Sequence, residues 1–303
     1  MEFEKRFGAS KEEIIHEIIK KHKELDYSKF REEIEDIAKE FTKVPFICSV
    51  FGVGYPFYGD YDVVDRITRT KRKSILKLVP DIDLILVYDS DEYPRDLTSP
   101  FWNRVSMDFS STIGREARRW TRLKKRLLKR KVAIGKNDDE ILKNFMNDII
   151  HIDINAVPRD LWEDLPYLFK DEDLEHLSRV GIDVLFTSHP LSFRKHFESH
   201  LDVPSKIRMH KLLDETVNNK NRSLNEIIDK LVKSHPHYSL SRRYPQVMKH
   251  HRGIWEKAFE NLKEEGLVEE RDGKISVTKL GLEFHNKLLK KRKDIRKKWR
   301  LPG

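Results

Sequence analysis

The segment Pro80-Asp81-Ile82-Asp83-Leu84-Ile85-Leu86-Val87-Tyr88 constrains the fold more than any other part of this chain. It places two carboxylates, one residue apart, at the mouth of an aliphatic run long enough to be a buried strand. Residues i and i+2 of a strand lie on one face, so Asp81 and Asp83 project together, about 6–7 Å apart. Two carboxylates that close repel each other unless something relieves them. A divalent cation does so, and hard oxygen ligands suit Mg²⁺. A metal held in this way commonly serves phosphate chemistry. The plain alternative is a turn at Pro80-Asp81 that leads into an ordinary strand.

A second apolar run, Ile149-Ile150-His151-Ile152-Asp153-Ile154-Asn155-Ala156-Val157, carries its own acid. Asp153 alternates with Ile152 and Ile154 and therefore faces away from both. A carboxylate flanked by isoleucines in a strand needs a partner, because an unpaired buried charge costs several kcal/mol. A metal shared with the first pair is one solution. A salt bridge to Lys or Arg is the other.

The net charge of +9 is unevenly spread over the 303 residues. Residues 115–131 hold ten Lys or Arg against one Glu, and residues 287–300 hold nine against one Asp, so the remainder is acidic. Two concentrated basic patches on an acidic body suggest a polyanionic partner, nucleic acid before membrane. A pair of solvated helix faces is the alternative. Cys48 is the only cysteine, which excludes an intramolecular disulfide and a CxxC zinc site and fits a reducing cytoplasm. No run of about eighteen apolar residues and no apolar signal region is present, so a soluble protein without membrane contact is expected.

Ser10 and Glu13 form a capping-box pattern that opens a helix over about 10–25, with Ile14, Ile15, Ile18 and Ile19 on one face. A second amphipathic helix starts near Ser28 and spaces Phe30, Ile34, Ile37 and Phe41 along one side. Phe46-Ile47-Cys48-Ser49-Val50-Phe51 reads as a strand that runs into a turn at Gly52-Val53-Gly54. A basic helix is expected over 111–131 with the stripe Trp120, Leu123, Leu127 and Leu128, and another helix over 138–147. Beyond Pro158 the pattern turns helical, anchored by Trp162, Tyr167, Phe169 and Phe186. Helices are expected at 205–217, 223–233 and 245–264, the second opened by Ser223 with Glu226. A hairpin then turns at Asp272-Gly273, and a closing helix from Lys279 carries the basic tail.

A glycine turn after one strand, Asp-x-Asp heading a second and a lone Asp in a third resemble the polymerase β-like nucleotidyltransferase superfamily. The resemblance covers about 45–157. It implies that Gly52 and Gly54 cradle a nucleoside triphosphate (NTP). It further implies that Asp81 and Asp83 bind Mg²⁺, and that Asp153 completes the metal site and helps activate the attacking hydroxyl. Asp60 and Asp62 form a rival pair, closer to Gly52. The stretch 205–285 resembles a winged helix-turn-helix domain. That resemblance implies nucleic-acid contacts from Lys249, Arg252 and Lys257 on the helix before the wing.

The expectation is an α+β chain: a nucleotidyltransferase-like mixed sheet flanked by helices, then a helical region and a winged helix. Residues 1–44 would be a helical pair packed on the catalytic domain at 45–160, with a helical connector at 161–204 and the winged domain at 205–303. The expected activity is Mg²⁺-dependent transfer of a nucleotide from an NTP to a nucleic-acid acceptor, RNA rather than DNA, with tRNA one candidate. Arg115, Arg118, Arg119, Arg122, Lys125 and Arg126 would hold the acceptor together with the C-terminal cations. A non-catalytic winged-helix DNA-binding regulator with a degenerate transferase domain is the main alternative; a metal-dependent nuclease is another. His196 and His200 have the i, i+4 spacing of a zinc pair without a third ligand. His235, His237, His250 and His251 would flank a nucleic-acid surface or sit in turns. The oligomeric state is left open.

Overall fold

The computed structural model describes residues 8–24, 27–41, 44, 47–53, 81–88, 115–134, 138–170, 183–186, 194–219, 222–234 and 245–301. It is a mixed helix and strand architecture. The elements are α1 (Lys11–Glu24), α2 (Tyr27–Phe41), β1 (Ile47–Val53), β2 (Asp81–Tyr88), α3 (Arg115–Lys129), β3 (Val132–Ile134), α4 (Asp138–Met146), β4 (Ile150–Pro158) and α5 (Arg159–Asp164). A 3-10 turn (Leu165–Leu168) follows, then β5 (Asp183–Phe186), α6 (Arg194–Asn218), α7 (Leu224–Lys233), α8 (Pro245–Glu264), β6 (Val268–Arg271), β7 (Lys274–Val277) and α9 (Lys279–Lys298).

The two aliphatic runs lie side by side. The main sheet has the order β3-β4-β2-β1-β5, with β2 central. β4 runs parallel to β2 and to β3, whereas β1 is antiparallel to β2 and to β5. Parallel neighbours need a crossover, and α3, β3 and α4 supply it between β2 and β4. Leu84, Leu86, Tyr88, Ile152, Ile154 and Val50 line one face of the sheet. They form a single core with Ile34, Ile37, Ala38 and Phe41 of α2 and Leu123 and Leu127 of α3. Each large apolar side chain contributes about 1.5–3 kcal/mol on burial, which is why the spacing of Ile34, Ile37 and Phe41 selects this face of α2. Leu128 departs from the expected stripe and is 58% exposed. It lies about 100° around the helix from Leu127, past the edge of the contact.

The second core gathers α6, α7, α8, the β6–β7 hairpin and α9, with Trp255, Phe259, Leu262, Ile228 and Leu231 at its centre. Its local signals behave as the sequence suggests. Ser223 Oγ accepts from Glu226 N while Glu226 Oε2 accepts from Ser223 N at 2.8 Å, a reciprocal capping box. Ser10 and Glu13 form the same arrangement ahead of α1. The hairpin turns on Asp272 and Gly273, both with positive φ (52° and 71°), the conformation that makes Asp-Gly favourable there.

Three expectations need correction. The segment 161–204 is more than a helical connector, because it contains β5, which pairs with β1 and extends the main sheet. The helix expected at 205–217 begins at Arg194 and runs through Pro204. A proline removes one backbone donor from the ladder, and the surrounding turns, with Val203, Ile207 and Leu212 buried, keep the helix continuous. The basic helix ends at Lys129, because Arg130 and Lys131 form a turn, Lys131 with φ of 59°, ahead of β3 beside β4; residues 111–114 lie outside the described residues. Among the described residues no helix is long and apolar enough to cross a membrane.

α9 is fastened to the segment that follows β4. Lys298 Nζ and Trp299 Nε1 both donate to Asp164 Oδ2, at 2.6 and 2.9 Å. Lys291 Nζ stands 3.9 Å from the centroid of the Tyr167 ring. Asp214 Oδ1 of α6 accepts from His285 Nε2 and from Lys170 Nζ, each at 2.8 Å. Beside this network His210 is buried against Tyr167, Phe169 and Phe284, and its Nδ1–H donates to Pro166 O at 2.6 Å. Desolvation pushes the imidazole pKa down from 6.5 to about 4. A depressed histidine pKa means that the unfolded chain takes up the proton first as pH falls. The stability it represents is whole above about pH 6.5 and is lost between there and about pH 4, on the order of 3 kcal/mol. His210→Asn, which keeps a donor for Pro166 and cannot titrate in this range, is expected to flatten that decline. Urea midpoints measured at pH 7.5 and 4.5 check it; equal acid sensitivity in both proteins would refute the assignment.

Candidate functional site

The aspartates of the two apolar runs meet at one end of the main sheet. In the parallel pair β2–β4, Asp81 lies opposite His151 and Asp83 opposite Asp153. In the antiparallel pair β1–β2, Val53 lies opposite Asp83. Residues directly opposite in a sheet share a face, as do residues i and i+2 of one strand. Positions 81, 83, 151 and 153 therefore occupy one face at the start of β2 and β4, opposite the face that packs on α2 and α3. Neighbouring strands are about 4.8 Å apart, so the backbones at Asp83 and Asp153 approach within one strand spacing. The side chains of Asp81, Asp83 and Asp153 lie outside the described residues, as do Gly54, Asp60 and Asp62.

In β1, β2 and β4 the rest of that face carries no further acid. Farther along the strands it is mostly apolar and covered: Phe51, Ile85, Val87 and Val157 are buried together with the polar Ser49, and the Phe51 and Trp162 rings lie 4.6 Å apart. Toward the start of β4 the neighbour is α4, whose Asn144 Nδ2 lies 3.2 Å from His151 Nδ1. α1 fixes α4 in turn. Lys21 Nζ donates to the carbonyls of Phe145 and Met146 at 3.0 and 3.4 Å and pairs with Asp148, so a cation caps the helix C-terminus. The Asp148 carboxyl is held below the usual range, first by the hydrogen bond from Lys21 and then by that cation's charge.

Gly52 does not form the expected turn. It is inside β1, opposite Leu84 on one side and Asp183 on the other. β1 continues to Val53, so a turn at this end starts no earlier than Gly54, outside the described residues. Asp183, not singled out from the sequence, joins this sheet end through β5. Its register with Gly52 and Leu84 puts it on the other face. His151 and Asn144 are also additions. The alternation around Asp153 contained the first, since residue 151 shares its parity. Nothing local signals Asn144, which meets His151 only through the packing of α4.

The expected cations divide. Arg118, Arg122, Lys125 and Arg126 are exposed on α3, and Arg126 Nε lies 3.4 Å from Glu40. The side chains of Arg115 and Arg119 lie outside the described residues. α3 packs on the face opposite the aspartates, and it ends beside the start of β4: Lys131 O, just past the helix, accepts from Ile150 N at 2.8 Å. Lys249 and Lys257 are exposed on α8. Arg252 is engaged with Asp229 and, at 2.6 Å, with Asn225 Oδ1, so it ties α8 to α7. His251 is buried within α8 and not in a turn, and the zinc-like pair His196 and His200 falls in α6 with side chains outside the described residues.

No protein-family model, no curated protein and no solved structure matches this chain.

Proposed function

We propose that the chain is a Mg²⁺-dependent nucleotidyltransferase that moves a nucleotide from an NTP to an RNA acceptor. One observation carries the reading: three aspartates from strands 70 residues apart stand in register on one face, at one end of adjacent strands. Like charges directly opposite in a sheet are destabilising. Such an arrangement is retained where a hard cation joins the carboxylates, and carboxylate oxygens are the donors that Mg²⁺ takes. Asp81 and Asp83 would hold the ion, with Asp153 beside them. Bound Mg²⁺ would offset the triphosphate charge and stabilise the departing pyrophosphate.

The chain's own groups do the remainder. Asp153 takes the proton of the acceptor hydroxyl as its oxygen bonds to the α-phosphorus and the bond to pyrophosphate breaks. Phe51, Ile85 and Trp162, buried farther along the same face, pack the strands that carry the aspartates, which supports in-line positioning. The exposed cations of α3, ending beside β4, suit the acceptor's phosphates, as do those of α8 and α9. Helices α6, α7 and α8 followed by the β6–β7 hairpin have the order of a winged helix, and we assign that part to acceptor binding.

The test is label transfer. Wild-type protein and the Asp81→Ala/Asp83→Ala variant are incubated with Mg²⁺, total RNA and each labelled NTP in turn. Label that moves to RNA with wild type alone is the expected result and names the nucleotide. No transfer with any NTP, alongside equal nucleic-acid binding by both proteins, would favour the non-catalytic regulator.

A further inference from the structure

His151 is 1% exposed, a burial that an imidazole tolerates only when its nitrogens are satisfied. One nitrogen is accounted for by the contact between Nδ1 and Asn144 Nδ2 at 3.2 Å. An amide nitrogen can only donate, so Nδ1 accepts and the ring proton resides on Nε2. α4 thus sets the tautomer, and Lys21 of α1 anchors the C-terminal turn of α4 from which Asn144 comes. The donor that results belongs to a residue on the aspartate face. Position 151 is directly opposite Asp81, about 4.8 Å away across the strands, whereas Asp153 is about 6.5 Å along its own strand. Carboxylates that hold metals are themselves oriented by hydrogen bonds from a surrounding shell.

We propose that His151 is a positioning residue, its Nε2–H holding the Asp81 carboxylate in the orientation in which it binds a divalent cation. The proposal rests on the metal-dependent reading of the three aspartates and adds to it a residue that never touches the substrate. Asn144 belongs to the same device, since removing its amide lets the ring proton move to Nδ1.

The measurement is a Mn²⁺ titration followed by the electron paramagnetic resonance signal of the free ion, so that binding is read without catalysis. Wild type, Asp81→Ala, His151→Phe, His151→Gln and Asn144→Leu are compared, with thermal melts as a control on folding. Wild type binds and Asp81→Ala does not. His151→Phe, which keeps a planar ring without a donor, weakens binding about 10–100-fold. His151→Gln, which restores an N–H, recovers most of the loss. Mn²⁺ affinity within twofold of wild type for His151→Phe overturns the proposal. Equal weakening by Phe and Gln also overturns it, because packing alone would then be at stake. Where the Phe variant does not fold, Asn144→Leu decides: a loss of about three- to tenfold supports the device and unchanged affinity overturns it. No Mn²⁺ binding by wild type, or undiminished binding by Asp81→Ala, would instead remove the metal site itself and this inference with it.

Discussion

Under the proposed function, Asp83→Asn is expected to lower nucleotide transfer by on the order of 10³-fold while the protein stays folded. Asp83 stands at the crossing of the site: β2 is the central strand, Val53 lies to one side and Asp153 to the other. Asparagine keeps the shape and removes the charge, so backbone pairing survives and the proposed cation binding does not. The companion effect has the opposite sign. Without metal, Asp83 and Asp153 are like charges in directly opposed positions, a pairing that costs roughly 0.2–1 kcal/mol. The metal-free variant should therefore melt at or slightly above the wild-type temperature, as is common where function opposes stability. Single-turnover transfer rates and melts in a chelator check both halves. A rate within about threefold of wild type would remove Asp83 from the reaction, by the scale of losses seen when a transition-state contact is deleted.

Gly281→Ala should destabilise the second core by about 3 kcal/mol or more, although alanine is the better helix former. A methyl group built on Gly281 would stand 2.0 Å from Leu267 O, 2.7 Å from Val277 Cγ1 and 2.9 Å from Leu267 C. The carbonyl cannot retreat freely. It accepts from Thr278 N at 3.1 Å and from Thr278 Oγ1 at 3.2 Å, and Thr278 is the N-cap of α9, its Oγ1 accepting from Gly281 N. Pushing Leu267 away thus breaks the junction between α8, the hairpin and α9 together. Gly253 is the internal control, because it lies inside α8 with nothing within 4 Å of an added methyl. Gly253→Ala is expected to be neutral or to stabilise by about 0.5–1 kcal/mol. Urea midpoints of the two variants should move in opposite directions. A Gly281→Ala midpoint equal to wild type would mean that the hairpin joins α9 less tightly than these distances state.

The same contrast between near and far contacts runs through the whole chain. Both capping boxes, the Asp272-Gly273 turn and the buried strands of β2 and β4 were legible, because each rests on a few consecutive residues. A cap joins positions three apart, and strand alternation repeats every two residues. β3 and β5, three and four residues long, carry too little pattern to announce themselves. They are strands because β4 and β1 offer open edges to pair with. Side-chain roles divided likewise: Leu123 and Leu127 read as core and are core. Arg252 is paired to Asp229, a partner on α7 that its own neighbourhood does not announce.

For the candidate site, sequence alone determined the chemistry available, three aspartates each embedded in a strand that has to be buried. Only the tertiary structure decided that Asp83 meets Asp153, that His151 stands across from Asp81, and that Gly52 belongs to a strand and not to a turn. The physical reason is range. Dihedral preference and hydrophobic period act over a few residues, whereas strand register is set when helices distant in sequence pack their apolar stripes on one face and leave one end of the other to the acids.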